Sequence, residues 1–341
     1  MVGYGVPVLS PPKKIVPVSQ PSITVVGSYA TGLTMKVGRL PSSGETLLGT
    51  GYRMDYGGKG SNQAVGCARL GARVSFVAKI GNDNLGQMAL RLYCEEGVDA
   101  SHVLQTADVA TGVGFILVEE ASGRNCIVLD PGANERLSAA DVSKCEAAFT
   151  SPAVVLTQLE IPVDAAEAAL RQGRACRAVT ILNPAPVRPL PSRVLQLVDV
   201  LTPNEVEAQV LTGRRPVDSV SPEDVGRELV SAGVKNVIMT LGEKGALVVT
   251  ESGTEYFPAL PVRAVDTTGA GDAFNAGLAT ALAWGATLEQ AVEFAIVTGG
   301  LAVTREGVIP SLPDCNQVVE SYRARGLAPP GWLATSSAAA R

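Results

Sequence analysis

Basic charge, aromatic rings and histidine are all scarce in this chain of 341 residues. Lysine and arginine total 28 against 33 acidic residues, a net charge of -5, so no basic excess exists to neutralise a nucleic-acid backbone. Aromatic residues make up only 4%, which argues against a binding surface of stacked rings. The single histidine, His102, has neither the signature of a catalytic triad nor the clustered cysteines of a zinc site. We therefore predict no nucleic-acid partner and no zinc.

Long apolar runs and paired cysteines are also missing. No apolar stretch reaches the roughly 18 residues of a membrane span, which predicts no membrane partner. The six cysteines stand singly in apolar stretches, as buried thiols of a reducing compartment do. Residues 1–21 lack the continuous apolar core of a secretory signal and predict a flexible arm, while residues 323–341, rich in Ala, Pro and Ser, predict a tail. We expect a cytoplasmic protein.

The rest of the sequence alternates short β-branched runs with longer helical stretches. Residues 23–27 and 74–78 predict buried strands, and residues 61–70 and 85–96 predict the helices that follow them. Repeated strand, helix and strand indicate a parallel sheet covered on both faces, as in α/β proteins. Further strands are predicted at 153–156, 178–182, 198–201, 237–240 and 246–250, and further helices at 165–174, 206–211 and 223–232.

Two segments, 33–56 and 111–129, break this alternation. Both alternate in hydrophobicity on either side of turn residues, as antiparallel hairpins do. Strands of this kind, inserted into a parallel-sheet domain, can form a small sheet over one edge. We therefore predict one α/β domain that carries a β-sheet lid.

The strongest local signal is the run DTTGAGD at 266–272, which precedes an apolar helix at 273–284. Glycines and small residues at a helix N-terminus let several backbone N–H groups converge on an anion, typically a phosphate. The carboxylate of Asp272, beside that anion, can accept the proton of an attacking hydroxyl. The alternative is structural, with Asp272 as a helix cap and the glycines in a tight turn. The spacing alone supports both interpretations equally.

Three further segments lie at strand ends, where α/β proteins bind ligands. YGGKGSN at 56–62 opens a helix but lacks the spacing of a Walker A loop, which argues against a P-loop kinase. Its Asn62 can bind a sugar hydroxyl or simply belong to an ordinary helix start. TPNEVE at 202–207 and TLGEKG at 240–245 can likewise be no more than a helix start and a turn. Four such segments together favour a ligand site.

Together these segments resemble the ribokinase family of sugar kinases, also called the phosphofructokinase-B family. The resemblance is carried by GGKGSNQA at 57–64 and DTTGAGDAF at 266–274, in that order, with QLE at 158–160, LNPAP at 182–186 and TPNE at 202–205. It extends over about 22–313. It implies a ribokinase-like three-layer α/β sandwich over 22–315, with a mostly parallel central sheet flanked by helices. It also implies a lid that pairs with the lid of a second subunit, giving a homodimer.

The resemblance also implies roles for individual residues. Asp272 would be the general base for a primary hydroxyl of the sugar. The N–H groups of Gly269, Ala270 and Gly271 would form the anion hole that stabilises the phosphoryl group transferred from ATP. The implied sugar-binding positions are Gly58, Lys59, Asn62, Glu160 and Asp272. The implied nucleotide-binding positions are Asn204, Thr240, Gly242, Gly245 and Gly271.

Two metal ions are implied in the same way. Glu207 matches the acidic residue of an Asn-x-x-Glu motif that serves Mg²⁺ through water, the Mg²⁺ arriving with ATP. A monovalent cation, K⁺, would activate the enzyme by fixing the geometry of the loop beside the anion hole. The implied K⁺ positions are Asp266, Thr268, Ala302, Arg305, Gly307 and Ser311.

The chain departs from the family at the sugar site. Ala30 and Gly32 stand where ribokinases carry a polar residue and an Asp that binds two sugar hydroxyls. Thr31 lies between them but should point to the opposite face of an extended strand. Losing two such bonds would weaken ribose binding by about 100-fold, so either ribose binds poorly, Thr31 or water replaces them, or the substrate differs. Ile296 stands where some ribokinases place a histidine against adenine, and apolar packing can replace that contact.

The sequence therefore predicts an ATP-dependent sugar kinase that phosphorylates a primary hydroxyl, with D-ribose to D-ribose 5-phosphate as the leading reaction. The alternatives are a kinase for a deoxypentose, a branched pentose, a ketohexose or a nucleoside, for which Tyr29 or Tyr52 would supply an aromatic platform. A non-catalytic sugar-binding regulator is a further alternative, which the retained Asp272 disfavours.

Overall fold

The computed structural model of the protein describes residues 20–215 and 219–336. Within these two ranges the chain forms thirteen strands in two sheets. The large sheet contains β1 (Ser22–Val26), β4 (Arg73–Gly81), β5 (Val103–Thr106), β8 (Val154–Gln158), β9 (Val179–Asn183), β10 (Val200–Leu201), β11 (Asn236–Thr240), β12 (Gly245–Thr250) and β13 (Gly253–Pro258). The small sheet contains β2 (Ala30–Val37), β3 (Gly49–Gly57), β6 (Gly112–Glu119) and β7 (Asn125–Asp130).

The large sheet is mostly parallel and has the order β13-β12-β11-β10-β9-β8-β1-β4-β5. All pairs between β5 and β11 are parallel, whereas β12 and β13 are antiparallel at one edge. Neighbouring residues of β1 belong to different apolar clusters, Val25 to one and Val26 to the other, because successive side chains of a strand point to opposite faces. The predicted mostly parallel sheet, flanked by helices, is confirmed.

Helices cover both faces of this sheet. Residues of α1, α2, α8, α9, α10 and α11 contribute to one cluster, and residues of α3 to α7 contribute to the other. None of the helices in 20–215 and 219–336 is long and apolar enough to cross a membrane. Their bounds are α1 (Lys59–Arg69), α2 (Asn84–Glu95), α3 (Ala139–Lys144), α4 (Val163–Ala175), α5 (Ser192–Leu195), α6 (Glu205–Leu211), α7 (Pro222–Ser231), α8 (Ala270–Ala283), α9 (Leu288–Ala302), α10 (Cys315–Ala324) and α11 (Gly331–Ser336).

The predicted lid is confirmed as a separate sheet with the order β3-β2-β6-β7. The β2/β3 and β6/β7 pairs are antiparallel, as the alternation predicted, and β2 and β6 join the two pairs in parallel. Strand β3 ends at Gly57 and α1 begins at Lys59, so the lid leads directly into the GGKGSNQA motif.

The predicted terminal segments have different outcomes. Of the predicted arm, residues 1–19 lie outside the described residues, as do 337–341 of the predicted tail. The tail prediction differs from the structure at residues 323–324, which end α10, and at residues 331–336, which form α11. Leu333 is fully buried, and Trp332 stacks on Trp284 and packs edge-on against Phe294. This packing stabilises a helix that the local Ala, Pro and Ser composition does not reveal.

Candidate active site

The DTTGAGD segment runs into α8, which begins at Ala270, three residues before the predicted helix start at 273, so Asp272 lies in the first turn of the helix. Gly269 precedes the helix with φ +81°, and a Cβ there would lie 2.6 Å from Val308 Cγ1, so the position requires glycine. The first N–H groups of a helix have no intrahelical acceptor. Ala270 N–H donates to Thr267 O at 3.3 Å, whereas those of Gly269 and Gly271 meet no acceptor in the described ranges. An open set of donors therefore lies at this point.

Asp272 lies where α8 meets α1. Its side chain is buried, with 5% of the residue exposed. Asp272 Oδ2 accepts a hydrogen bond from Asn62 Nδ2 at 2.8 Å, and Oδ1 accepts one from Gln63 Nε2 at 2.9 Å. Both donors are neutral amides, so they fix the orientation of the carboxylate without forming an ion pair. The structure thus brings the two signature motifs together.

Gln63 links this carboxylate to the sheet. Gln63 Nε2 also donates to Asn183 Oδ1 at 3.1 Å, and Gln63 Oε1 accepts from Gln158 Nε2 at 2.6 Å. Asn183 and Gln158 are the last residues of β9 and β8, so the amides lie at the carboxyl edge of the sheet. Buried amides of this kind hold one arrangement because an unpaired polar group would be costly.

The same chain of contacts returns to the DTTGAGD segment at 266–272, named the phosphate loop below after the anion predicted there. Asn183 Nδ2 donates to the backbone oxygen of Thr202 at 3.1 Å, and Thr202 Oγ1 donates to Asn275 Oδ1 at 2.7 Å. Asn275 Nδ2 then donates to Gly271 O at 2.8 Å. The sequence analysis did not assign Gln63, Asn183 or Asn275 to the site. The signal available in the sequence was that Gln63 lies within GGKGSNQA at 57–64 and Asn183 within LNPAP at 182–186.

The Lys59 backbone and the Glu160 side chain meet at the start of α1. Glu160 Oε2 accepts hydrogen bonds from the Lys59 N–H at 2.8 Å and from Ser28 Oγ at 2.5 Å. The negative charge of Asp272 raises the pKa of Lys59 despite burial, and Glu160 adds to that effect. These negative charges therefore favour the charged form of the Lys59 ammonium group.

Gly58 connects the lid to α1 and makes the closest backbone approach of the motif. It has φ +88°, and an added Cβ would lie 2.6 Å from Tyr29 Cα and 2.8 Å from Ala30 N. Both the conformation and the space therefore require glycine. This packing sets the position of α1, and with it Asn62, against the start of β2.

A cavity of about 700 Å³ opens beside the phosphate loop. The predicted nucleotide positions Thr240, Gly242 and Gly245 line one part of it, and Ala270 and Gly271 line another. Asn204 is absent from the lining but forms a β-bridge with Thr240. The apolar part of the wall contains Leu260, Val262, Phe274, Ile296 and Val303. The cavity therefore joins the open N–H groups to an apolar recess.

Asn204 and Glu207 form a reciprocal cap at the start of α6. Asn204 Oδ1 accepts from the Glu207 N–H at 2.8 Å, and Glu207 Oε2 accepts from the Asn204 N–H at 2.9 Å. Burial raises the pKa of Glu207, although the bond from Asn204 and the charge of Lys59 oppose the shift. No cluster of three metal-ligating side chains occurs within the described ranges. A single carboxylate fits Mg²⁺ only if the ion keeps most of its water shell.

Asp266 joins the two loops predicted to hold K⁺. Its Oδ1 accepts from the Thr268 N–H at 2.9 Å and its Oδ2 from the Gly307 N–H at 3.0 Å. Burial opposes ionisation, but these backbone bonds lower the pKa of Asp266. A charged carboxylate on a loop rich in carbonyl oxygens fits a hard cation. The other predicted positions are nearby in the chain: Ala302 O accepts from the Arg305 N–H at 3.4 Å, and Ser311 Oγ donates to Val308 O at 2.8 Å.

The structure removes two of the alternatives considered for the sugar site. Thr31 is fully buried, and its hydroxyl lies 3.1 Å from the Tyr29 hydroxyl in a shared hydrogen bond. Thr31 therefore does not replace the polar groups missing at Ala30 and Gly32. Tyr29 is also fully buried and offers no stacking platform, whereas Tyr52 is 59% exposed.

Comparisons with known proteins agree with this arrangement. A pfkB family carbohydrate kinase profile matches residues 20–315. The chain is 37% identical over 299 residues to a ribokinase of Haemophilus influenzae, covering 88% of this chain and 97% of that protein. It is 34% identical over 300 residues to a deoxyribokinase of Salmonella typhi, covering 87% and 97%. The structure of an Arabidopsis thaliana ribokinase complexed with ribose and ATP superimposes with a TM-score of 0.81 at 30% identity, covering 88% of this chain and 98% of that one.

The matched fold, lid and ordered motifs define the class of protein: this chain belongs to the pfkB family of carbohydrate kinases. Within that family its relatives include ribokinases and a deoxyribokinase, so it is a carbohydrate kinase of the ribokinase family.

The close approach at Gly58 yields a test with a matched neighbour. We expect Gly58→Ala to lower the free energy of unfolding by about 2–4 kcal/mol, because left-handed strain and backbone overlap add. Gly57→Ala should cost less than about 1 kcal/mol, since its Cβ would meet only Ala30 O at 3.4 Å and Gly57 has no positive φ. Urea unfolding measures both, and equal losses would contradict the packing argument.

Proposed function

We propose that this kinase transfers the terminal phosphoryl group of ATP to the primary hydroxyl of D-ribose, forming D-ribose 5-phosphate. The observation that carries the proposal is the buried Asp272 carboxylate. It is fixed by two amides of the GGKGSNQA motif, called the sugar motif below, and directly follows Gly271, whose N–H group is open and which lines the large cavity. A protein that only bound a sugar would have no use for a base at that point. The ribokinases among its relatives support the choice of ribose.

In the proposed reaction the oxygen of the sugar hydroxyl attacks the terminal phosphorus of ATP while Asp272 accepts the hydroxyl proton. The new O–P bond forms as the bond to ADP breaks, and the proton ends on the carboxylate. The N–H groups of Gly269 and Gly271, with Ala270, stabilise the charge on the transferred group. Asn62 and Gln63 fix the orientation of the carboxylate, which lowers the entropic part of the activation free energy.

We assign the adenine end of ATP to the apolar recess of the cavity, against Ile296 and Phe274, and its phosphates to Thr240, Gly242 and Gly245. Mg²⁺ bound with ATP would neutralise phosphate charge, and Glu207 would hold it through water. K⁺ would be held by oxygens of Asp266 and of the loop it joins, which keeps the phosphate loop in shape. We place the reaction in the cytoplasm, where free thiols such as the exposed Cys94 stay reduced.

Deoxyribose is the second candidate substrate. Ala30 and Gly32 offer no polar side chain to a hydroxyl, and a deoxyribokinase is among the relatives. A nucleoside is a weaker candidate because Tyr29 is buried.

We also propose that the lid pairs with a second copy of the chain. Leu33 lies directly opposite Met54 on β3 and Phe115 on β6, and Phe115 lies opposite Val128 on β7. Met54, Phe115 and Val128 are 40%, 53% and 64% exposed. An apolar row of this kind across all four strands is a surface that a partner would cover.

The base assignment predicts a selective loss of turnover. We expect Asp272→Asn to lower kcat by about 10²–10⁴-fold while ribose and ATP still bind, because the variant removes proton acceptance and keeps the shape. Asn62 Oδ1, which is buried without a partner, can accept from the new amide if the Asn62 side chain flips. Steady-state kinetics and calorimetric binding check this, and near-normal turnover would remove the assignment.

The ribose assignment predicts an order of kcat/KM values among candidate substrates. Assayed with ATP, Mg²⁺ and K⁺, the protein should phosphorylate ribose with a higher kcat/KM than 2-deoxyribose, fructose or adenosine. Replacing K⁺ with tetramethylammonium at equal ionic strength should lower kcat, because the loop joined by Asp266 loses its cation. Turnover of none of these compounds, together with sugar binding, would favour the regulator instead.

The lid surface predicts a change of assembly. We expect Phe115→Asp to shift the protein from dimer to monomer in sedimentation velocity, because a charge would be buried at the centre of the apolar row. Leu327→Asp is the matched control, since Leu327 is 52% exposed but lies outside the lid. A dimer that tolerates Phe115→Asp, or a wild-type monomer, contradicts pairing through this face.

A further inference from the structure

We propose that Asp55, on lid strand β3, supplies the carboxylate that binds ring hydroxyls of the sugar, in place of the side chain missing at Gly32. This inference rests on the proposed function and adds a specificity-determining residue to it.

The register of the lid places the two positions face to face. Gly32 of β2 pairs directly with Asp55 of β3, and directly paired residues of antiparallel strands project from the same face. A Cβ built on Gly32 would lie 3.8 Å from Asp55 Cβ and 3.5 Å from Ile116 Cδ1, ordinary contact distances. The absent side chain therefore leaves space on that face beside the Asp55 side chain.

Strand β3 lies beside the phosphate loop. Arg53, two residues before Asp55, shares its face and forms an ion pair with it at 2.6 Å. Strand β3 also contacts the turn at Ile309–Ser311, which follows the loop joined by Asp266. The opposite face carries the apolar row proposed for pairing, so the two faces have separate roles.

The Asp55 carboxylate has one oxygen to spare. Its Oδ2 accepts from Arg53 Nε at 2.6 Å, and Thr34 Oγ1 lies at 3.5 Å from the same atom. Its Oδ1 has no partner within the described ranges, and the side chain is 37% exposed. An ion-paired carboxylate with a free oxygen is held in place and still able to accept from hydroxyls.

The neighbouring residues do not offer the same chemistry. Ala30 and Gly32 are apolar, and the hydroxyl of Thr31 is buried against Tyr29. Asp55 is therefore the carboxylate on this face of β2 and β3 that a sugar lying between the lid and Asp272 would meet. In this proposal the carboxylate that binds the sugar stands on β3, at Asp55, instead of on β2, at position 32.

Kinetics of a relocated carboxylate test this inference. We expect Asp55→Ala to raise KM for ribose by about 10- to 100-fold, the loss expected for bonds to a charged acceptor, with KM for ATP changed less than twofold. The double variant Gly32→Asp with Asp55→Ala should recover most of the ribose affinity, because Gly32 has ordinary φ and room for a side chain. The control is Glu120→Ala, which removes a lid carboxylate bonded to Thr50 Oγ1 at 3.0 Å.

A structural role alone would not give recovery by the double variant. An unchanged ribose KM in Asp55→Ala, or no recovery in the double variant with its unfolding midpoint preserved, overturns the inference. If Asp55→Ala does not fold, calorimetric titration of Asp55→Asn with ribose decides, and wild-type affinity overturns it. Failure of the proposed function is distinguishable, because the wild-type protein itself would then phosphorylate no sugar. If the wild-type protein prefers another sugar to ribose, the same variants are measured with that sugar.

Discussion

The site depends on one contact between distant parts of the chain, the carboxylate of Asp272 between the amides of Asn62 and Gln63. It ties the helix that carries the phosphate loop to the helix that follows the lid. If this contact were lost, the sugar motif and the phosphate loop would still exist as separate helix starts. They would have no common reacting point, and the proposed phosphoryl transfer depends on that positioning.

The cost of this arrangement lies in the buried polar groups around it. From Gln158 through Gln63, Asn183 and Asn275, each amide finds a partner on another strand or helix, and the chain closes at Gly271. Burying unpaired amides is unfavourable, so the arrangement that makes these bonds is preferred over displaced ones. The same preference keeps the phosphate loop and Asp272 in a fixed relation.

The lid shows how one strand pair can serve two purposes. Alternate residues of β2 and β3 face opposite ways, so Leu33 and Met54 form an apolar row on one face while Gly32 and Asp55 lie on the other. A change of side chain on one face leaves the other intact. This independence allows the acidic group proposed for sugar recognition to sit on either strand without disturbing the surface proposed for pairing.

The sequence by itself determined the mostly parallel sheet, the lid hairpins and the helix starts at both signature motifs, because these follow from hydrophobic period and local glycine chemistry. It did not reveal α11, whose Trp332 packs against Trp284 and Phe294 and whose Leu333 is fully buried. Nor did it reveal the part that Gln63, Asn183 and Asn275 play in the buried amide chain. It also left open whether Thr31 replaces the missing sugar contacts. Only the tertiary structure decided these points, because burial and cross-strand register depend on residues far apart in the chain, and no local pattern records which of them meet.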